Sequence, residues 1–210
     1  MKFLLLTILT FINVYAIAEP SETVRELQTE WAEIKYRVPE KEQEQLLAKL
    51  TEKTSELVEN NPEDIDLLIW EGIIRATYSG AKGGLGALGE VKKARYSFEK
   101  AIKINPEAMG GSAYTSLGSL YYQVPSWPIG FGSSKKAKKM LEKGLELNPD
   151  GIDSNYFYGD YLLSEGKYDL ALISLEKALK ASPRSGRQLA DEGRRQEIQQ
   201  AIEKIRDRKK

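Results

Sequence analysis

The 210 residues include no histidine and no cysteine. The commonest general base, the commonest metal ligand and the thiolate nucleophile are therefore all missing. Zinc, haem and iron–sulfur sites lose nearly all their usual ligands with them. Chemistry would have to run on carboxylates, lysine, tyrosine or serine, and no acid–base constellation is visible in their order. No metal or other cofactor is implied. The remaining residue types favour binding over catalysis, at four places. Lys82 with the amides of Gly83 and Gly84 opens a glycine-rich stretch, AKGGLGALG, able to hold an anion if those groups converge on a helix N-terminus. Trp127, Pro128, Ile129 and Phe131 crowd a second stretch, VPSWPIGFG, and aromatic residues on a loop are anchors for a partner. They could equally fold back as cover. Among six clustered tyrosines, Tyr114 and Tyr122, with Asn155, are candidates to face a ligand. Arg184, Arg187, Arg194 and Arg195 could clamp a carboxylate, although pairing with Asp191, Glu192 and Glu197 is the expected outcome, with Arg187 kept as a binding candidate.

The elements that position these groups are set by a proline register. Pro62, Pro106, Pro149 and Pro183 are spaced by 44, 43 and 34 residues, and a proline pushes the preceding residue out of the helical region. In the last interval Gly159 is followed by Ala171, Leu175 and Ala178, small and large residues alternating as two closely crossing helices require. Tyr158 and Leu162 flank the glycine, and Gly166 supplies the turn. Gly118, Ala137, Leu141 and Gly144 repeat the pattern one unit earlier; Gly72, Ala94, Phe98 and Ala101 repeat it once more. The glycine-to-alanine distance grows from 12 residues to 19 and then 22. The surplus lies in the two stretches named above, which are expected to form long loops adjoining one another on one edge. Upstream, Val24, Leu27, Trp31 and Ile34 form a helical stripe, followed by one with Leu46, Leu47, Leu50, Leu57 and Val58. Ile198, Ala201, Ile202 and Ile205 form a narrow stripe on a charged terminal helix.

The Gly84-x-Gly86-x-x-Gly89 spelling has no strand before it and no crossover unit around it, so a glycine-rich turn is expected and not a dinucleotide fingerprint. The 34-residue spacing and the small–large alternation resemble the tetratricopeptide repeat. That resemblance implies an all-α solenoid of about four helical hairpins, near residues 22–62, 64–106, 112–149 and 152–183, with a capping helix near 188–207. Such stacks bind partners on a concave groove lined by the first helix of each hairpin.

The opening MKFLLLTILTFINVYAIAEP has Lys2, an apolar run and the small-x-small site Ala16-Ile17-Ala18, the layout of a secretory signal peptide. Cleavage near Ala18 is expected to give a periplasmic or secreted protein with no membrane anchor and a net charge of −1, which points away from nucleic acid. AKGGLGAL, GSAYTSLGSLYYQVPSWPIGFG and NPDGIDSNYFYGDYLL together resemble a family of exported bacterial tetratricopeptide proteins, some grouped with the T component of TRAP-type solute transporters. The resemblance implies a partner such as a periplasmic solute-binding protein. The expected function is a non-enzymatic binding module for a protein or small ligand. A transport component is the narrower alternative, and an enzyme or lipid-handling protein on a helical stack the remote one.

Overall fold

A computed structural model describes residues 20–84 and 86–209; the expected signal peptide lies outside them. Nine helices follow in order among the described residues: α1 (Glu22–Arg37), α2 (Glu40–Asn60), α3 (Ile65–Lys82), α4 (Ala87–Ile104), α5 (Ala108–Gln123), α6 (Ser134–Leu147), α7 (Ile152–Ser164), α8 (Tyr168–Leu179) and α9 (Gln188–Arg208). Local chemistry starts and stops them. Ser21, Asp64 and Ser133 accept the orphan N–H groups of Val24, Leu67 and Lys136 at the starts of α1, α3 and α6. Asn61, Asn105 and Asn148, each before a proline, end α2, α4 and α6. The entry to α5 is irregular. Met109, Gly110 and Gly111 take left-handed φ values of 48°, 60° and 72°, a conformation glycine adopts without steric cost.

Odd- and even-numbered helices form two layers. Each odd helix from α3 to α7 crosses its even partner where a glycine meets a large side chain. A methyl group built on Gly72 would lie 2.4 Å from the Phe98 ring. On Gly118 it would lie 2.7 Å from Leu141, and on Gly159 2.8 Å from Leu175. Phe98, Leu141 and Leu175 are fully buried, so the crossings are tight and leave no room for a Cβ.

The odd helices α1, α3, α5, α7 and α9 pack in succession as the inner layer, and α9 then meets α1. The stack therefore closes head to tail. The C-terminal half of α9 (Ile198, Ala201, Ile202, Ile205) joins the apolar core of the later hairpins. Its N-terminal half brings Ala190 into the core that Val24, Leu27, Trp31 and Trp70 build at the other end.

The two surplus stretches behave differently from each other and, in part, from expectation. The first is not a long loop. Only residues 83–86 separate α3 from α4, and the extra residues extend both helices, where Leu88 and Val91 are drawn into the core. The second is a loop, residues 124–133. It is pinned by Gly132 N–H donating to the Pro125 carbonyl (3.0 Å) and Ser133 N–H donating to the Tyr121 carbonyl (2.7 Å). The Trp127–Pro128 peptide is cis.

Candidate ligand-binding cavity and its closing seam

The inner layer lines a half-open cavity of about 2490 Å³. Its wall mixes apolar side chains such as Ile73, Leu120 and Phe157 with polar and charged ones, the composition of a site that both holds and orients a ligand. Gly83, Gly84, Ala87 and Leu88 line it, as do Pro125 and Ile129, so both surplus stretches reach the same cavity.

The structure separates the ten binding candidates of the sequence. Gly83, Gly84 and Arg187 line the cavity. Lys82 is exposed and turns to the Tyr78 ring and hydroxyl. Tyr122 is not a groove residue: its hydroxyl donates to Asp160 Oδ2 at 2.6 Å and its ring lies against Tyr161, tying α5 to α7. Burial, then the Asp160 carboxylate, push that phenol well above its ordinary value. Tyr114 is half-buried and lies outside the wall. Asn155 is buried and spends its amide on the Pro149 and Gly151 carbonyls (2.8 and 2.9 Å), bracing the start of α7. The aromatic loop divides. Phe131 folds back edge-on to Tyr121 and under the Arg95 guanidinium. Trp127 remains 84 % exposed and Ile129 61 %, with Pro128 exposed between them.

The most elaborate chemistry sits where α9 meets α1 and α7. Asp153 on α7 accepts from Arg184 Nη1 and from Arg194 Nε, both at 2.7 Å. Arg184 also donates Nε and its backbone N–H to Asp191, at 2.7 and 2.8 Å. Arg194 donates Nη1 to Glu197, which Lys35 of α1 approaches at 3.7 Å. Burial works against a charged Asp153, yet Arg184 and Arg194 outweigh it and hold the carboxyl well below the usual range. The Arg194 guanidinium lies 4.3 Å from the Tyr156 ring centre and 4.7 Å from that of Phe157. Burial lifts Tyr156 to about 12 against the opposing charge of Arg194. Arg195 donates to the Leu179 and Ala181 carbonyls at the end of α8. The expected pairing thus holds for Arg184 with Asp191 and for Arg194 with Glu197. Asp153, distant in sequence, is the partner that sequence order did not reveal.

Arg187 is different. Its guanidinium stacks on Trp70 at 4.9 Å, and its Nε is buried with no acceptor among the described residues. Burial first, and then the like charge of Arg184, push it down to about 10. Trp70 is joined edge-on to Trp31, and Trp31 edge-on to Tyr36, each at 5.8 Å. Trp31 satisfies its indole N–H on Thr77 Oγ1 at 2.9 Å; among the described residues Trp70 finds no such acceptor. Gly193 of α9 lies so close to Tyr36 that an added methyl would fall 2.2 Å from the ring. At helical spacing each tryptophan reads as core, so sequence order alone attaches no binding role to Trp31 or Trp70.

Among the described residues no group of acidic side chains is placed to hold a metal ion, and no helix is long and apolar enough to cross a membrane. Residues 152–185 match the model of the tetratricopeptide repeat. No curated protein sequence matches the chain. The crystal structure of a thermophilic tetratricopeptide protein from Thermus thermophilus is similar in fold. It has a TM-score of 0.56 at 19 % identity, covering 84 % of this chain and 88 % of that one. The described chain is an all-α solenoid of the tetratricopeptide type.

Proposed function

We propose that this chain is a non-enzymatic, exported binding module whose inner cavity holds a ligand or a segment of a partner. The observation that carries the reading is the closure of α9 on α1, so that inner helices from both ends of the stack border one half-open cavity. Walls supplied by several helices give a bound molecule contacts on more than one side, and rigid elements hold their polar groups in place. Export rests on the signal-peptide layout of the first 18 residues.

Photo-crosslinking amino acids placed at Ser116 in the cavity, at Trp127 on the loop and at Ile173 on the outer layer test this in the native host. Adducts are expected at Ser116 and Trp127 and not at Ile173, with the protein in the periplasmic fraction. Equal labelling at all three positions, or labelling at Ile173 alone, overturns the reading.

A narrower role as the accessory T-type component of a TRAP solute transporter is favoured by one feature. The exposed Trp127 and Ile129 sit on the loop that borders the cavity, where a solute-binding protein would dock and exchange ligand. Loss of an adduct with such a protein after Trp127→Ala, with cavity labelling retained, is the expected result for that role.

A further inference from the structure

Four buried side-chain polar atoms lack a hydrogen-bond partner among the described residues: Tyr36 Oη, Thr51 Oγ1, Trp70 Nε1 and Arg187 Nε. Three of the four belong to the closing seam, linked through the Arg187–Trp70, Trp70–Trp31 and Trp31–Tyr36 ring contacts. All three can donate a proton, and two of them, the indole and the guanidinium, can do nothing else. Leaving donors unmet in a buried place is costly, and a packed core avoids it. Trp70 is only 2 % exposed, yet it and Arg187 both line the cavity.

Charge points the same way. At the seam Arg184, Arg187, Arg194 and Lys35 face three carboxylates, Asp153, Asp191 and Glu197. The carboxylates are engaged by Arg184, Arg194 and Lys35, and the surplus positive charge rests on Arg187. Asp66, one turn before Trp70 on α3, also lines the wall. Burial and its neighbour Asp64 raise its pKa, which disfavours the charged form.

We infer that Arg187 and the Trp70 indole N–H, backed by the Tyr36 hydroxyl, form a subsite for the carboxylate of a small organic acid with an apolar body. The guanidinium supplies the charge and a planar fork that matches a carboxylate. The indole supplies a neutral donor, and the aromatic wall of Trp31 and Trp70 takes the apolar body. The inference rests on the cavity being the binding site. Cavity adducts at Ser116 together with no carboxylate binding would remove this inference and leave that reading intact.

The test is calorimetric titration of the full folded chain with octanoate and phenylacetate, their neutral counterparts octanol and phenylacetamide, and inorganic phosphate. The acids are expected to bind saturably, at least about tenfold tighter than the neutral compounds and phosphate. Arg187→Gln should weaken the acids about tenfold or more, and Trp70→Phe and Tyr36→Phe, which keep an aromatic ring, about threefold to tenfold each. Arg187→Gln and Tyr36→Phe should leave binding of the neutral compounds unchanged. The ring-preserving pair keeps the test decisive if Arg187→Gln alters folding. Equal affinity for acid and neutral forms, phosphate binding as tightly as the acids, wild-type affinity in Arg187→Gln, or no binding of either acid at millimolar concentration overturns the inference.

Discussion

Arg75 and Arg187 are both withdrawn from solvent and both belong to charged clusters between helices, but their surroundings are opposite. Arg75 on α3 spends every nitrogen. Its Nε donates to Glu71 at 3.0 Å, Nη1 to Glu90 at 2.5 Å and Nη2 to Ser55 at 2.6 Å. Ser97 closes the circle by donating to the other Glu71 oxygen at 2.8 Å. This network joins α2, α3 and α4 and engages all three guanidinium nitrogens. Arg187 has the aromatic face of Trp70, and its Nε has no acceptor among the described residues. A satisfied buried cluster fixes how elements sit; an unsatisfied one leaves a buried donor unspent at a cost.

Five measurements test the contrast. The largest effect is expected on the closed side. Glu71→Ala leaves the Arg75 guanidinium buried without its nearest carboxylate and should cost about 3–5 kcal/mol in denaturant unfolding. Asp153→Ala removes the shared acceptor of Arg184 and Arg194. These groups are partly solvated, so the loss should be nearer ~2–3 kcal/mol. Gly193→Ala drives a methyl into the Tyr36 ring and should cost about 1–3 kcal/mol. Hydrogen-exchange protection should then fall in α1 and α9 and not in α5 and α6.

Acid should act on the seam through Asp153. Its folded pKa lies below the ordinary 3.8, so below 3.8 the unfolded chain binds the extra proton first. That contribution to stability is complete above this range and is lost as pH falls through the folded value. Unfolding measured from pH 5 downward should show a smaller pH slope in Asp153→Asn than in the parent. The smallest effect is expected for Arg187→Met. The substitution removes the surplus charge of the seam and keeps an apolar stem on Trp70, so stability should stay within about 1 kcal/mol of the parent. A loss as large as that of Glu71→Ala would show that Arg187 is structural after all and erase the distinction between the two clusters.

Much of the scaffold was legible in the sequence. Gly72, Gly118 and Gly159, each followed by a large residue in the partner helix, announced tight crossings, and those glycines meet Phe98, Leu141 and Leu175. The length of the first surplus stretch misled, because Ala81, Lys82, Ala87 and Leu88 are good helix formers and Leu88 had a core to join. Sequence counting sees extra residues and cannot tell a longer helix from a longer loop. Tyr114, Tyr122 and Asn155 do lie on inner helices, as their register implies. Which way a helix face turns depends on its neighbours, and Asp160 and the Pro149 carbonyl claimed two of them.

Residue types and a proline register are local properties of the chain, and they are enough to establish a helical repeat without histidine or cysteine chemistry. The return of α9 to α1, the sharing of Asp153 by Arg184 and Arg194, and the Arg187 left over on Trp70 arise from long-range packing. Each hairpin adds a small rotation to the stack, and closure depends on the accumulated sum of packing angles over four hairpins. No single stretch of sequence carries that sum, so the cavity and its unpaired donors emerge only when the ends meet.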